Sequence, residues 1–392
     1  MKLVLILFAV FISGSAFAED VPHVRDYAKG VVADLASPAL WGRGYTKGGM
    51  EKAARYLERE IRRIGLRPLG GKSYRQAFGY PVNTFPGKMR VSLNGKALVP
   101  GVDFIVDVAS PGGKARGELV AKDDSTFVEP RGRFTVRFAD KLTWDVSTKR
   151  DATNGITVDR ARFSGKPTRF AYEIESRFVP KFAATNLAAF VPGTASPDRY
   201  FVFTAHYDHL GGMGTAAYFP GANDNASGVA LLLSLARYYA EHPQPYSIAF
   251  LFFAGEEAGL LGSKYFVEHP TIDLKQIRFL LNFDIEGTGE AGATVVNAPV
   301  FAPEFEVLRK INDEGHYLPQ VFPRGKMSKS DHHWFTEAGV PSFYMYTMGG
   351  ISAYHDVYDR AETLPLNKID DVFALTLKFG RKIAEEGLRT SR

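Results

Sequence analysis

The strongest constraint on the fold of this 392-residue chain is a series of continuously apolar runs that begins after Ala184. The runs RYFVFTAHYD, YSIAFLFFAGEE, RFLLNFDIEG and PSFYMYT are rich in Phe, Leu, Val and Ile, and helical sequences such as SGVALLLSLARYYAEH separate them. Strands that are apolar on both faces require helices on both sides of their sheet. We therefore predict an α/β fold whose mixed, mostly parallel central sheet is covered by helices on both faces.

Metal-ligating residue types stand where these apolar runs end. His206 and Asp208 close the first run, Glu256 and Glu257 close the second, and Asp284 closes the third. Taken alone, each has a simpler structural explanation. Together they gather at the carboxyl ends of strands, where α/β sheets collect functional groups. Because so much negative charge is not buried without cations, the pattern predicts a metal site.

Three further polar segments allow more than one interpretation. The loop GANDNASG, residues 221–228, precedes a helix, so Asp224 by itself is most simply a helix cap. Ser330 or Asp331 could likewise cap the helix that follows the SDH sequence, with shaping of a pocket as the alternative. His209 follows the first run closely, and we expect a supporting or loop role for it rather than metal ligation.

The chain contains no cysteine. This absence excludes a thiolate metal site, a cysteine nucleophile and a disulfide framework. No HExxH sequence occurs, so a one-zinc thermolysin-like mechanism is not indicated.

The first eighteen residues have the pattern of a secretory signal peptide: Lys2, an apolar run over 3–12, and small residues that end at Ala18. We therefore expect an exported, periplasmic or extracellular protein. No later segment has eighteen uninterrupted apolar residues, so we expect no integral membrane association. A net charge of +5 is too modest to suggest nucleic-acid binding. The oligomeric state cannot be read from the sequence.

The first half of the mature chain divides into two parts. Residues 48–64 carry Met50, Ala54, Leu57, Ile61 and Ile64 at helical spacing, and Gly65 is a plausible stop. Between 83 and 180, turn signals separate short alternating runs, which predicts a β-rich insertion. The predicted division is a signal peptide over 1–18, a helical part over 19–82, the insertion over 83–180 and the main part over 181–392.

Six ordered motifs in residues 184–365 resemble the M28 zinc peptidases, namely AHYDHLG, GANDNASGVA, FFAGEEAGLLGS, NFDIEG, SDHHWFTEAGVPS and AYHDVYDR. These are co-catalytic aminopeptidases with a phosphorylase/hydrolase-like α/β core. The segment 48–64 is similar to the N-terminal helix of the family. The insertion occupies the place where many members carry a β domain.

The resemblance implies two zinc ions per chain. The implied ligands are all nitrogen and oxygen donors: His206, Asp224, Glu257, Asp284 and His355. Asp224 would bridge both ions. His206 and Asp284 would complete one zinc site, and the remaining two ligands would complete the other.

The resemblance also implies the catalytic residues. Glu256 would be the general base toward a metal-activated bridging water, and Asp208 would be the partner of His206. Tyr354 would donate a hydrogen bond to the developing oxyanion. The expected substrates are peptides, cleaved next to a free N-terminus.

Other functions on the same fold remain alternatives. A carboxypeptidase would need cations to hold the substrate carboxylate, and Arg324, Lys326 or Lys329 could supply them. A mononuclear glutaminyl cyclase would not need a complete second metal site, whereas both His206 and Asp284 are present here. The remaining alternatives are a zinc amidohydrolase acting on non-peptide amides and a non-catalytic binding protein.

Overall fold

The computed structural model describes the chain from residue 22 to residue 390, and its side chains as far as residue 384. The predicted signal peptide, residues 1–18, therefore lies outside the described residues. The α-helices are α1 (Arg25–Leu35), α2 (Gly49–Ile64), α3 (Gly228–Glu241), α4 (Leu261–Glu268), α5 (Ala302–Gly315), α6 (His332–Glu337) and α7 (Ile369–Thr390). Within residues 22–390, no helix combines the length and the apolar composition that a bilayer crossing requires.

The strands are β1 (Arg67–Pro68), β2 (Arg75–Thr84), β3 (Met89–Leu93), β4 (Lys96–Leu98), β5 (Phe104–Val106), β6 (Gly113–Glu118), β7 (Val120–Ala121), β8 (Thr126–Val128), β9 (Phe134–Ala139), β10 (Asn154–Asp159), β11 (Arg169–Ile174), β12 (Arg177–Val191), β13 (Ser196–His206), β14 (Gly212–Met213), β15 (Ala217–Tyr218), β16 (Tyr246–Phe253), β17 (Ile277–Phe283), β18 (Gly292–Val296), β19 (Val321–Arg324) and β20 (Ser342–Met348). Short helical turns cover Pro38–Arg43, Leu274–Gln276 and Ala361–Thr363, and an irregular turn covers Ala222–Ser227.

A nine-stranded central sheet has the order β1-β12-β16-β13-β17-β20-β18-β19, with β2 also paired to β12. The four central strands β16, β13, β17 and β20 are parallel, as is the pair β18–β19. The other pairs, around β12 and between β18 and β20, are antiparallel. The predicted mixed sheet is confirmed, but parallel pairing predominates only at its centre. There, crossovers such as α3 between β13 and β16 supply the long connections that parallel strands need.

The central strands are buried on both faces. In β13, Phe201 and Phe203 face a core that includes residues of α1, α2, α3, α5 and α7. Val202, between them, faces a second core with Phe266 of α4 and Phe335 of α6. Side chains alternate along a strand, so an apolar run with no polar alternation fits a sheet covered on both sides. The predicted helical layers on both faces are confirmed.

Helix α2 follows the predicted segment closely. Four of the five predicted stripe residues are buried, namely Met50, Ala54, Leu57 and Ile61. The fifth, Ile64, is half-buried at the end of the helix. Gly65 ends α2 in the left-handed region, with φ at 88°, where a residue without a Cβ is favoured.

Strands β3 to β11 lie between β2 and β12 and outside the central sheet. They form a five-stranded sheet of order β5-β10-β9-β8-β7 and a four-stranded sheet of order β4-β3-β11-β6. These nine strands fall within the predicted β-rich range. The division of the chain into domains at residues 83 and 180 stays a prediction.

The hydrophobic core of this insertion continues into the main part of the chain. Phe104 and Phe134 of the insertion belong to the same buried cluster as Phe219 and Val357. The Trp144 ring stacks on the Phe219 ring with 4.6 Å between their centroids. The insertion therefore packs directly on loops at the carboxyl edge of the central sheet.

Candidate active site

The predicted site residues meet at the carboxyl edge of the central sheet. His206 is the last residue of β13, Glu256 and Glu257 follow β16, and Asp284 follows β17. The three strands are adjacent and parallel, so their carboxyl ends lie side by side. His206, Glu257 and Asp284 are each 9% exposed or less. The structure thus brings residues from distant parts of the sequence into one buried cluster.

Asp224 lies in the irregular turn Ala222–Ser227 that leads into α3. It does not cap this helix, because Ser227 occupies the N-cap position and no side chain caps there. Instead, Asp224 Oδ1 lies 3.4 Å from His206 Nε2, and Asp224 Oδ2 lies 3.0 Å from His355 Nε2. The two oxygens of one carboxylate therefore face two different imidazoles.

His206, Asp224 and Asp284 form the first group of potential metal ligands. Asp284 Oδ1 lies 3.3 Å from His206 Nε2, and one donor atom from each residue lies within 4.8 Å of the other two. His206 Nδ1 lies 3.2 Å from the carbonyl oxygen of Asp208 and 3.8 Å from its carboxylate. Asp208 thus adjoins His206 as expected, with the closer contact made by its backbone. This contact holds Nδ1 and leaves Nε2 directed at the two other carboxylates.

Glu257 and His355 form the second group around the other oxygen of Asp224. Glu257 Oε2 lies 3.2 Å from His355 Nε2, and Glu257 Oε1 lies 2.6 Å from His209 Nδ1. His209 is fully buried and braces Glu257. This contact agrees with the supporting role expected for His209.

The carboxylates alter the pKa values of both histidines. Burial would lower the pKa of His355, but Glu257 and Asp224 raise it to about 12. Burial would also lower the pKa of His206, but the charge of Glu256 helps to raise it well above its usual value. Hydrogen bonds from both histidines hold the pKa of Asp224 well below its usual range, although burial acts in the opposite direction. The cluster strongly favours positive charge, and its nitrogen and oxygen donors suit zinc.

Glu256 has different surroundings from Glu257. Its side chain is 12% exposed, and its Oε2 lies 3.9 Å from His206 Nε2. Burial, together with the negative charges of Asp284 and Glu257, raises the pKa of Glu256 well above its usual value, against the opposing charge of His206. The backbone N–H of Glu256 donates to Asp208 Oδ1 at 3.2 Å. A positioned carboxyl group with a raised pKa is suited to proton transfer near neutral pH.

A chain of buried hydrogen bonds orients Asp284. The Ser330 hydroxyl donates to Asp284 Oδ2 at 2.7 Å and accepts from the Asn282 amide at 2.7 Å. Asn282 in turn accepts from the Thr204 hydroxyl at 2.6 Å. Asp331 stands at the N-cap of α6, but no side chain caps this helix. The helix-cap interpretation is therefore wrong, because the Ser330 hydroxyl is used to hold Asp284.

Arg43 is a site residue that the sequence motifs did not reveal. Its guanidinium is fully buried and donates hydrogen bonds of 2.7–3.1 Å to the carbonyl oxygens of Leu35, Tyr207, Pro220, Gly221 and Asp224. One side chain thus joins the segment after β13 to the turn that carries Asp224. A single arginine in the N-terminal part has no spacing signal that could have identified this role.

Gly221 allows this turn to pack closely. Its φ is 61°, and an added Cβ would lie 2.2 Å from the Asp224 carbonyl oxygen and 2.4 Å from the His209 ring. A side chain at this position would displace either Asp224 or His209.

The insertion also reaches the site. The backbone N–H of Trp144 donates to the His355 carbonyl oxygen at 2.9 Å, and His355 Nδ1 lies 2.9 Å from the Trp144 carbonyl oxygen. Asp145 is exposed, and its carboxylate lies within 4.8 Å of donor atoms of both Glu257 and His355. Trp144 and Asp145 carry no sequence signal of this position, because they are more than 100 positions from the motif residues Glu257 and His355.

Tyr354 lies at the open side of the site. Its ring stacks on the His355 ring, with 4.0 Å between centroids and an interplanar angle of 14°. The residue is 43% exposed. Burial of part of the ring, followed by the negative charge of Asp224, raises the pKa of its hydroxyl, so that Tyr354 remains a hydrogen-bond donor at neutral pH.

Residues 186–380 match the model of peptidase family M28. The chain belongs to this family. Aminopeptidase YwaD of Bacillus subtilis is 35% identical over 155 residues, which cover 37% of this M28 member and 31% of that protein. A vacuolar membrane protease of Candida dubliniensis is 26% identical over 227 residues, which cover 56% and 23% of the two chains. The aligned regions thus span less than a third of these curated relatives.

Two solved structures resemble this M28 member over nearly its whole length. BSAP, a zinc aminopeptidase from Bacillus subtilis, has a TM-score of 0.70 at 18% identity and covers 93% of this chain and 96% of its own. A peptidase M28 precursor from Shewanella amazonensis has a TM-score of 0.68 at 14% identity and covers 92% and 95%. These similarities confirm the predicted fold class and extend beyond the region that the family model matches.

Proposed function

We propose that this M28 member is an exported dinuclear zinc aminopeptidase that hydrolyses the peptide bond next to a free N-terminus. The observation that carries the proposal is the position of Asp224 between two histidines, at 3.4 Å from His206 and 3.0 Å from His355. Each histidine has a second carboxylate partner, Asp284 or Glu257. A shared carboxylate with a nitrogen and an oxygen donor on each side suits two neighbouring zinc ions.

The residues fit the proposed metal pair. His206 and Asp284 would hold one zinc ion, Glu257 and His355 would hold the other, and Asp224 would contact both. When bound, such a pair lowers the pKa of water and polarises a substrate carbonyl group.

The remaining catalytic work falls to this chain's own side chains. Glu256 accepts a proton from the attacking water and returns it to the leaving amine. Asp208 keeps Glu256 in place by accepting its backbone N–H. The Tyr354 hydroxyl donates a hydrogen bond to the oxyanion that develops on the substrate carbonyl.

Two observations favour cleavage at the amino end over cleavage at the carboxyl end. The site is rich in carboxylates, and those that the zinc pair does not balance attract an ammonium group rather than a substrate carboxylate. Of the three cations considered for a carboxypeptidase, Arg324 donates to the Tyr346 hydroxyl and Lys326 pairs with Glu337. The third, Lys329, lies close enough to Asp145 for its charge to act on that carboxylate. The Bacillus subtilis relatives, named as an aminopeptidase and a zinc aminopeptidase, support the same direction.

Export to the periplasm or the exterior is part of the proposal. It is supported by the charged, apolar and small-residue pattern of residues 1–18. Mass spectrometry of the protein purified from its own host would then give an N-terminus at Glu19.

The activity is tested by zinc analysis of the mature chain together with a panel of free and N-acetylated peptides. We expect about two zinc ions per chain, as the two-metal arrangement requires, and cleavage of the free-amine peptides alone. Glu256→Gln should keep the metal and lose activity by about 100-fold or more, because it removes the proton acceptor. Glu268→Gln, at an exposed glutamate of α4, is the matched control and should retain activity.

Other results would point to the alternative functions. One zinc ion per chain, or equal cleavage of acetylated peptides, would contradict the dinuclear aminopeptidase. Release of C-terminal residues would indicate a carboxypeptidase, and cyclisation of an N-terminal glutamine would indicate a glutaminyl cyclase.

A further inference from the structure

We infer that Asp145, supplied by the β-rich insertion, receives the α-ammonium group of the substrate and so sets the preference for a free amino end. The inference rests on the proposed aminopeptidase function, which it deepens. Asp145 would then be a specificity-determining residue that belongs to the insertion rather than to the peptidase core.

The insertion places Asp145 through the contacts of residues just before it in the chain. Trp144 exchanges two hydrogen bonds with His355, and its ring is buried against Phe219. Lys141 donates to the carbonyl oxygen of Ser352 in the same loop. This segment is therefore fastened to the loop that carries His355, and Asp145 occupies a defined position at the edge of the site.

The distance between the groups fits the substrate of an aminopeptidase. In a peptide's first residue, a single Cα separates the amino nitrogen from the scissile carbonyl carbon, which places the two atoms roughly 2.5 Å apart. A group that binds the amine must therefore lie next to the groups that act on the carbonyl. The carboxylate of Asp145 meets this condition, since it lies within 4.8 Å of donor atoms of Glu257 and His355.

Asp145 carries a negative charge in addition to those that the proposed zinc pair would balance. Two zinc ions would balance the four carboxylates at the centre of the cluster, which are Asp224, Glu256, Glu257 and Asp284. Asp145 is an additional carboxylate on the exposed side. One of its oxygens accepts the backbone N–H of Val146 at 2.7 Å, which orients the group. The charge of Lys329 also acts on Asp145, without a described ion pair between them. An oriented carboxylate that the metal pair does not neutralise is suited to a substrate ammonium ion.

Binding measurements in the absence of turnover test the inference. In zinc-loaded Glu256→Gln protein, calorimetry would compare Ala-Ala-Ala, which has a free amine, with propionyl-Ala-Ala, which lacks it. Adding Asp145→Asn should weaken binding of Ala-Ala-Ala by about tenfold or more, because hydrogen bonds to charged groups have this strength. Binding of propionyl-Ala-Ala should change less than about twofold, since nothing in it would contact the Asp145 charge.

Three controls make the result specific. Asp140→Asn changes a carboxylate in the same segment that is 92% exposed, and it should leave both affinities unchanged. Asp145→Glu keeps the charge and should restore part of the discrimination. Zinc analysis of every variant should give the same metal content as the Glu256→Gln protein.

Each contrary result has a clear meaning. Equal weakening of both peptides, or of neither, would overturn the role of Asp145 while leaving the aminopeptidase function standing. Loss of one zinc ion in Asp145→Asn would also overturn it, by making Asp145 a metal ligand. If Glu256→Gln protein binds neither peptide and the parent enzyme cleaves neither, the proposed function itself fails and the inference falls with it.

Discussion

At the residue scale, Arg43 is the side chain through which the N-terminal part of the chain holds the turn that carries the proposed ligand Asp224. It donates to five carbonyl oxygens, including that of Asp224, and its guanidinium is fully buried. Burial lowers the pKa of Arg43 to about 10, which still leaves it charged at neutral pH. Its charge and its planar set of donors are therefore both available to the turn.

We expect Arg43→Lys to lower zinc affinity by about tenfold or more, because a single ammonium group cannot reach all five carbonyl oxygens. Unsatisfied buried acceptors should also reduce the free energy of unfolding by at least about 2 kcal/mol. Zinc titration at low temperature, where the variant is folded, and denaturant unfolding measure the two effects separately.

Arg55→Met is the matched control for Arg43→Lys. Arg55 is 65% exposed and paired with Glu51 on the surface of α2, so its loss should change stability by less than about 0.5 kcal/mol and leave zinc affinity unchanged. If Arg43→Lys is destabilised yet binds zinc with parental affinity, Arg43 supports the fold without positioning the site.

The roles of some site residues could be predicted from the sequence, and the roles of others could not. His206 and Asp284 could be predicted as ligands because they end apolar strands, and strand ends converge at one edge of the sheet. Arg43 and Asp145 could not, because their roles arise from tertiary packing between segments that carry no shared motif.

At the scale of elements, the sequence pattern best predicted those strands and helices that lie in one environment along their buried length, because their apolar residues follow a single period. The buried parts of β13, β16 and β17 are apolar at most positions on both faces, because helices cover both sides of the sheet. The antiparallel strand β12 was not predicted, because its first half is exposed or half-buried and its second half is almost wholly buried. A strand whose two halves lie in different environments has no single period of apolar and polar residues.

Helix α2 provides a test of how strongly one element is held. Leu57 is fully buried in the middle of its apolar stripe, so Leu57→Ala should reduce the free energy of unfolding by about 2–5 kcal/mol through lost burial and the cavity left behind. Ile64→Ala, at the half-buried end of the helix, should cost clearly less. Denaturant unfolding compares the two variants, and equal losses would contradict the observed orientation of α2.

At the scale of the whole molecule, the site joins three parts of the chain that are far apart in sequence. The N-terminal part contributes Arg43, the insertion contributes the Trp144 contact with His355, and the core contributes the proposed ligands. None of the predicted site residues lies in the insertion, whereas its core is continuous with the loops around His355. Its role in the site could not be foreseen, because packing between segments leaves no local pattern.

Metal removal should therefore loosen the contact between the insertion and the core as well as the ligand cluster. Without cations, the four central carboxylates repel one another. His355, whose ring contacts the Trp144 carbonyl oxygen, is then no longer fixed by its proposed bond to zinc. Zinc at about 1,000 times its dissociation constant should add about 4 kcal/mol to the free energy of unfolding. We expect chelation to raise amide hydrogen exchange at residues 141–146, 221–228 and 352–357, while α2 remains protected.

Hydrogen exchange with mass spectrometry, before and after chelation, measures this local change. Zinc should restore protection, whereas magnesium should not, because its preference for oxygen ligands does not match two histidines. If chelation exposes residues 221–228 but leaves residues 141–146 unchanged, the insertion is held by its apolar core alone. If exchange rises equally throughout the chain, metal binding stabilises the fold as a whole and the coupling through Trp144 is wrong.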